Sequence, residues 1–93
     1  MRKIERTGQF KRDYKREAKG RHLKVLDGLL LEVLGALVAD RALPAKNRDH
    51  ALTGDWADHR DCHLKPDLVL IYRLPDNETL QLVRLGSHSE LGL

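Results

Sequence analysis

The sequence predicts an α+β domain: two N-terminal helices, then a C-terminal three-strand meander in a small, mainly antiparallel sheet. Three observations predict it. Apolar residues recur every three or four positions as far as residue 39 and lose that period afterwards. The run Leu68-Val69-Leu70-Ile71-Tyr72 is continuously apolar, as a central strand requires. Lys65-Pro66-Asp67 and Pro75-Asp76-Asn77 bracket it as turns short enough for hairpins.

Taken in order, residues 1–6 place Ile4 among charges, which suits an edge strand protected from stray pairing. Thr7 is the expected N-cap of a helix over 8–19. Phe10, Tyr14 and Ala18 give that helix one apolar face. Its other face stacks Lys11, Lys15 and Lys19 beside Arg12 and Arg16, like charges at helical spacing that oppose the helix unless an anion meets them. Gly20 breaks the pattern. A second helix is expected over 23–39, with Leu23, Leu26, Leu30, Val33 and Leu37 as its stripe. Gly28 and Gly35 lie on one side of it, where close packing of another element would explain their presence. Residues 40–58 read as loop, with Trp56 anchoring it to the core. Strands follow at about 59–64, 68–74 and 79–85.

Ninety-three residues make one small domain over 1–93. With 41% hydrophobic and 33% charged residues the chain suits a folded globular protein. No apolar run approaches the roughly 20 residues of a membrane span. Arg2 and Lys3 are charged at once with no signal-peptide core behind them, and the single Cys62 has no internal disulfide partner. A reducing, cytoplasmic location is expected. Residues 1–24 hold ten Lys/Arg against three Asp/Glu, so the basic end suits either a polyanionic partner or a solvated face.

Chemistry concentrates between Asp49 and Asp67. On the first strand, alternation puts His59, Asp61 and His63 on one face, while Cys62 and Leu64 suit the core. In a meander, the end of the first strand (His63), the start of the second (Asp67) and the end of the third (Gly86-Ser87-His88) share one sheet edge. The preceding loop can bring His50 there. Imidazole exchanges protons near neutral pH. Lys46, Arg48, Arg60 and Arg84 can offer positive charge to a phosphate. Those are the parts RNA cleavage needs: a base for the 2′-OH, cations for the phosphorane, an acid for the leaving 5′-oxygen. The same side-chain types also serve metal sites, but their spacing matches no familiar zinc signature.

Three runs together resemble the YafQ branch of the RelE/ParE toxin superfamily. They are Asp49-His50-x-Leu52-x-Gly54-x-Trp56, then Arg60-Asp61-x-His63-x-x-Pro66-Asp67-x-x-Leu70-Ile71-Tyr72, then Arg84-x-Gly86-Ser87-His88-Ser89-Glu90-Leu91. The resemblance covers nearly the whole chain. It implies two helices packed on an antiparallel sheet, and a type II toxin that acts as a ribosome-dependent mRNA endonuclease in the ribosomal A site. It further implies a cognate antitoxin, the 70S ribosome and mRNA as partners, with no membrane, cofactor or metal. Catalytic roles fall on His50, His63, Asp67 and His88, with Asp61 contributing. Lys11, Arg12, Lys15, Arg16 and Lys19 are expected to meet ribosomal RNA. One departure stands out. The family usually follows the His-x-x-Leu ending with an aromatic of the active site, whereas Leu91 is followed by Gly92 and Leu93. Either Leu93 partly substitutes, another ring such as Tyr72 serves, or activity is reduced. Two other functions fit a chain of this kind less well: a non-enzymatic ParE-like inhibitor of DNA gyrase, and a metal-dependent nuclease. A pure binder has no need of several imidazoles at one edge.

Overall fold

Thr7 ends the first strand and starts the first helix. Its backbone is extended and its hydroxyl accepts the Phe10 N–H at 3.0 Å, satisfying an amide the first turn leaves free. Around this corner the computed structural model, which describes all residues 1–93, places β1 (Lys3–Arg6) and α1 (Gly8–Ala18). The second helix, α2, spans Leu26–Val38 rather than 23–39; residues 21–25 are turn, and Leu23 and Val25 are exposed. The expected loop is more ordered than its composition suggests. It holds a 3₁₀ turn at Ala45–Asn47, a two-residue strand β2 (His50–Ala51) and a second 3₁₀ turn at Gly54–Trp56. The meander follows as β3 (Arg60–Lys65), β4 (Leu68–Arg73) and β5 (Thr79–Gly86). A short helix, α3 (His88–Leu91), closes the chain.

The five strands run in the order β1-β5-β4-β3-β2. β1 joins β5 in parallel, and the other three pairings are antiparallel. The sheet is therefore mixed, with the expected meander at its centre and the expected edge strand at one side.

Both faces are covered, which is why β4 reads as one apolar run. On one face, Leu68, Leu70 and Tyr72 join Cys62, Leu64, Leu80, Leu82 and Leu85 beneath Phe10 of α1 and Leu26, Leu30, Val33 and Leu37 of α2. On the other, Val69, Ile71 and Leu91 form a smaller cluster with Leu52, Trp56 and Val83. Trp56 thus anchors its loop on the second face, not on the main core. A bulge at Val83 resets alternation, pairing Ile71 with Arg84 but Tyr72 with Leu82. Leu82 and Leu85, three apart, can then both reach the main core.

Close packing at Gly28 and Gly35 is not found. A Cβ at either position would meet nothing within 4 Å, so the two glycines weaken α2 without admitting a neighbour. Gly28→Ala and Gly35→Ala should each raise stability by about 0.5–1 kcal/mol in urea unfolding.

β1 is too short to cover the whole of β5, and α1 takes over. Thr7 N–H donates to the Leu82 carbonyl and its hydroxyl to the Val83 carbonyl. Asp13, fully buried, accepts the Leu85 N–H at 3.0 Å, while Arg16 donates to the Leu85 carbonyl at 2.8 Å. Arg84 Nε and Arg16 Nη1 donate to the same Asp13 carboxylate at 2.7 and 2.9 Å. Burial would push this carboxyl up; the bonds from Arg84, Leu85 and Arg16 outweigh it and hold the carboxyl below its ordinary 3.8. Asp13→Ala leaves Arg84 and a sheet amide unpaired, so it should cost about 3–5 kcal/mol of stability in urea unfolding. The sign of the pH effect follows. The contribution of Asp13 is present above pH 3.8 and is lost as pH falls through the lowered folded-state value.

Candidate active site

The chemistry collects where β3 ends, β4 begins and β5 runs into α3. Asp61 and His63 of β3 pair with Ile71 and Val69 and share the second face of the sheet. The His63 and His88 rings meet edge to face, with centroids 5.1 Å apart. Asp67, at the β3–β4 turn, accepts both the His88 backbone N–H at 3.0 Å and its Nδ1–H at 2.7 Å. The bonds from the His88 amide and ring hold the Asp67 carboxyl below its ordinary value. An ionised carboxylate only accepts, so the proton sits on His88 Nδ1 and Nε2 is left for a substrate.

His50 enters through β2, where it pairs with Asp61. Its Nδ1 lies 3.0 Å from the Arg48 carbonyl and 2.9 Å from Asp61 Oδ1. A carbonyl oxygen only accepts, so Nδ1 carries the proton here too. That proton is aligned on Arg48, which leaves Asp61 Oδ1 buried without a directed hydrogen bond. A buried polar atom of this kind is rare and marks a site. Burial pushes the Asp61 carboxyl up, against the opposing pull of His50, His63 and His88. Burial pushes His63 down; Asp61 opposes this, while His88, Arg48 and His50 add to it. A neutral His63 beside an acid of raised affinity for protons is an arrangement for moving a proton.

Two side chains hold these loops in place. Asn47, nearly buried, donates its Nδ2–H to the His63 carbonyl at 2.8 Å and so pins the 3₁₀ turn to the uncovered end of β3. Asp49 accepts from the buried Tyr72 hydroxyl at 2.5 Å and from Arg60 Nε and Nη2 at 3.3 Å. Between them, Arg48 is held at φ 46°, ψ 46°, a left-handed conformation unusual for a non-glycine residue.

A family model described as a bacterial toxin of type II toxin–antitoxin systems, YafQ, matches residues 2–92. The chain belongs to the YafQ toxin family. It is 40% identical to the mRNA interferase toxin YafQ of Escherichia coli K12 over 93 residues, 98% of this chain and 96% of that protein. It superposes on the metal-bound toxin from Helicobacter pylori with a TM-score of 0.84 at 48% identity, covering 98% of this chain and 99% of that one. The toxin chain in the E. coli DinJ–YafQ complex gives a TM-score of 0.79 at 33% identity, with 98% of each chain covered.

The YafQ fold brings His50, Asp61, His63, Asp67 and His88 together, as meander topology requires. It does not leave every expected cation free. Arg84 and Arg16 turn to Asp13, Arg16 also pairs with Glu17 and Glu90, and Arg60 pairs with Asp49. Lys11, Arg12, Lys15, Lys19, Lys46 and Arg48 remain exposed. Tyr72 cannot stand in for the absent C-terminal aromatic, because its ring is buried in the main core. Gly92, at φ 71°, closes α3 in a left-handed turn. No three His, Cys, Asp or Glu side chains converge as metal ligands. The supporting roles of Asp13, Asn47 and Asp49 escaped sequence reading. Only Asp13 carried a signal, as one of two acids among the bases of α1.

Proposed function

We propose that this YafQ-family protein cleaves messenger RNA in the ribosomal A site as the toxin of a type II toxin–antitoxin pair, by acid–base chemistry without a metal. The observation that carries the reading is the His63–His88 pair beside Asp67, with His50 and the buried Asp61 alongside. The mRNA interferase name of the E. coli relative supports the same reaction. The DinJ–YafQ complex supports an antitoxin as partner. No helix is long and apolar enough to cross a membrane, and action on ribosomes assigns the protein to the cytoplasm. The cluster of imidazoles favours this reading over ParE-like gyrase inhibition, which needs no proton transfer.

In this mechanism His63, kept neutral by burial, takes the proton of a 2′-hydroxyl. The freed oxygen attacks the adjacent phosphorus, and Arg48 steadies the charge that builds on the phosphoryl oxygens. His88 enters this step as the imidazolium, its Nδ1–H on Asp67; it gives its Nε2 proton to the departing 5′-oxygen and is left neutral while Asp67 fixes the ring. A 2′,3′-cyclic phosphate and a 5′-hydroxyl result, so atoms and charge are conserved. His50 faces the substrate through Nε2, its Nδ1–H held by the Arg48 carbonyl. Lys11, Arg12, Lys15 and Lys19 supply an exposed basic helix for ribosomal RNA.

Primer extension on a translated message tests the reading. The parent protein should cut only with ribosomes present and equally well in EDTA, and His88→Ala should cut ~10²–10⁴-fold more slowly while folding normally. Unslowed cleavage by His88→Ala would show the wrong acid has been named.

The rate should also fall as pH drops through a value below 6.5, the ordinary histidine value, because His63 must be neutral to accept a proton. Arg48→Gln removes one of the charges that disfavour its protonated form, so the acid limb should move to higher pH. A rate–pH profile of the two proteins at saturating ribosomes reads this directly.

A further inference from the structure

A groove of about 720 Å³ opens beside His63, between α2 and the 3₁₀ turn. Lys46, Arg48 and Lys65 line it against the single acid Glu32, and Leu29, Leu64 and Pro66 supply apolar surface. A second, smaller hollow of about 280 Å³ shares Glu32, Lys46 and Asn47 with it and adds Arg41. Through these shared residues the two form one basic trough that runs from His63 along α2.

Lys46, Arg48 and Lys65 make no ion pair and are free to meet an anion. Two features set this trough apart from the other basic surfaces. Arg48 is held in its left-handed conformation by Asn47 on one side and His50 on the other. Such strain persists where a side chain must be aimed. And the trough ends at His63. The groove beside β1, with Arg6, Lys11 and Lys15, is lined mainly by apolar side chains and includes none of the histidines.

We infer that this trough is a subsite for single-stranded RNA, holding the nucleotides on the His63 side of the cleaved bond. The inference rests on the proposed RNA cleavage and extends it. Cations along a groove neutralise successive phosphates whatever bases they carry. His63 would then meet the 2′-hydroxyl of the nucleotide at the mouth, and the strand beyond would lie along α2. A protein partner with an acidic segment is the competing occupant, but nothing about it would require the trough to end at a histidine.

The experiment uses ribosomes programmed with a short message and measures cleavage against protein concentration at several salt concentrations. Lys46→Gln/Lys65→Gln should raise the half-saturating concentration about tenfold and flatten the salt dependence by about 1.4 in log–log slope, about 0.7 for each lost phosphate contact. The saturated rate should stay within about twofold, since uniform binding is what these groups supply. Lys3→Gln/Lys24→Gln, which alters exposed lysines outside the trough, should match the parent. An unchanged half-saturating concentration and salt slope overturn the subsite. So does a loss confined to the saturated rate, which would assign the lysines to the chemical step. So does a variant that cuts normally but no longer binds its antitoxin, which would assign the trough to the protein partner. A parent protein that cuts no message at all instead overturns the reading of function.

Discussion

The buried carboxylate of Asp13 is the interaction on which the rest depends. β1 covers β5 only as far as Leu82, and beyond it the strand would show bare amides to solvent. Asp13 takes the place of a neighbouring strand by accepting the Leu85 N–H, and Arg16 completes the exchange at the Leu85 carbonyl. The arrangement is costly to bury and stable only because every partner is present. Its reach extends to the site. Arg16 pairs with Glu90, and Glu90 closes a reciprocal capping box with Ser87 that starts α3. A side chain at Gly86 would collide with Arg16, 2.7 Å from where its Cβ would sit. His88 is therefore aimed by a chain of contacts that begins inside α1.

The other margin of the sheet is managed by the same device with different residues. β2 pairs only with Arg60 and Asp61. Asn47 caps the carbonyl of His63 beyond it, and Asp49 ties the loop to Tyr72 and Arg60. Short edge strands finished by side chains leave loops that are fixed but not paired. These are the segments that can present His50 and His88 to a bulky substrate while the core stays closed. Asp61 is the exception to this tidy satisfaction of polar groups. Its Oδ1 is buried without a directed hydrogen bond among three imidazoles, so burial raises its proton affinity against their opposing pull.

How much of this was legible in the sequence depended on periodicity. Thr7, the stripe of α2 and the apolar run of β4 each repeat or punctuate at a fixed spacing, and each was found where that spacing put it, save that Leu23 falls before α2 and is exposed. The meeting of His63, Asp67 and His88 followed from meander topology alone, since two hairpins leave little freedom in which ends coincide. What escaped had no period. β2 is two residues long and exists only because β3 is beside it. The bulge at Val83 shifts one residue and changes which side chains face the core, with no proline or glycine to announce it. Gly28 and Gly35 suggested a close neighbour by their spacing, yet the space beside them is open. Asp61 alternates onto the expected face, but that face carries its own apolar cluster, so the residue is buried.

The cations show a further limit and its physical cause. Counted from sequence, Lys11, Arg12, Lys15, Arg16, Lys19, Lys46, Arg48, Arg60 and Arg84 form one pool of positive charge. The structure divides the pool by chemistry. Among lysines and arginines, only Arg2, Arg16, Arg21, Arg60 and Arg84 make ion pairs, and none of the seven lysines does. A guanidinium presents a planar fork that satisfies a carboxylate and a carbonyl at once and loses less by leaving water; an ammonium is a strongly hydrated point charge. Arg16 and Arg84 do structural work inside a basic helix and at a strand end that the sequence assigns to RNA. The lysines keep their hydration, and with it the capacity to exchange water and small ions for the phosphates of a passing strand. In a chain this small the same charge cannot serve both ends: Arg16, Arg60 and Arg84 hold the fold, while the lysines, with Arg12 and Arg48, make no ion pair.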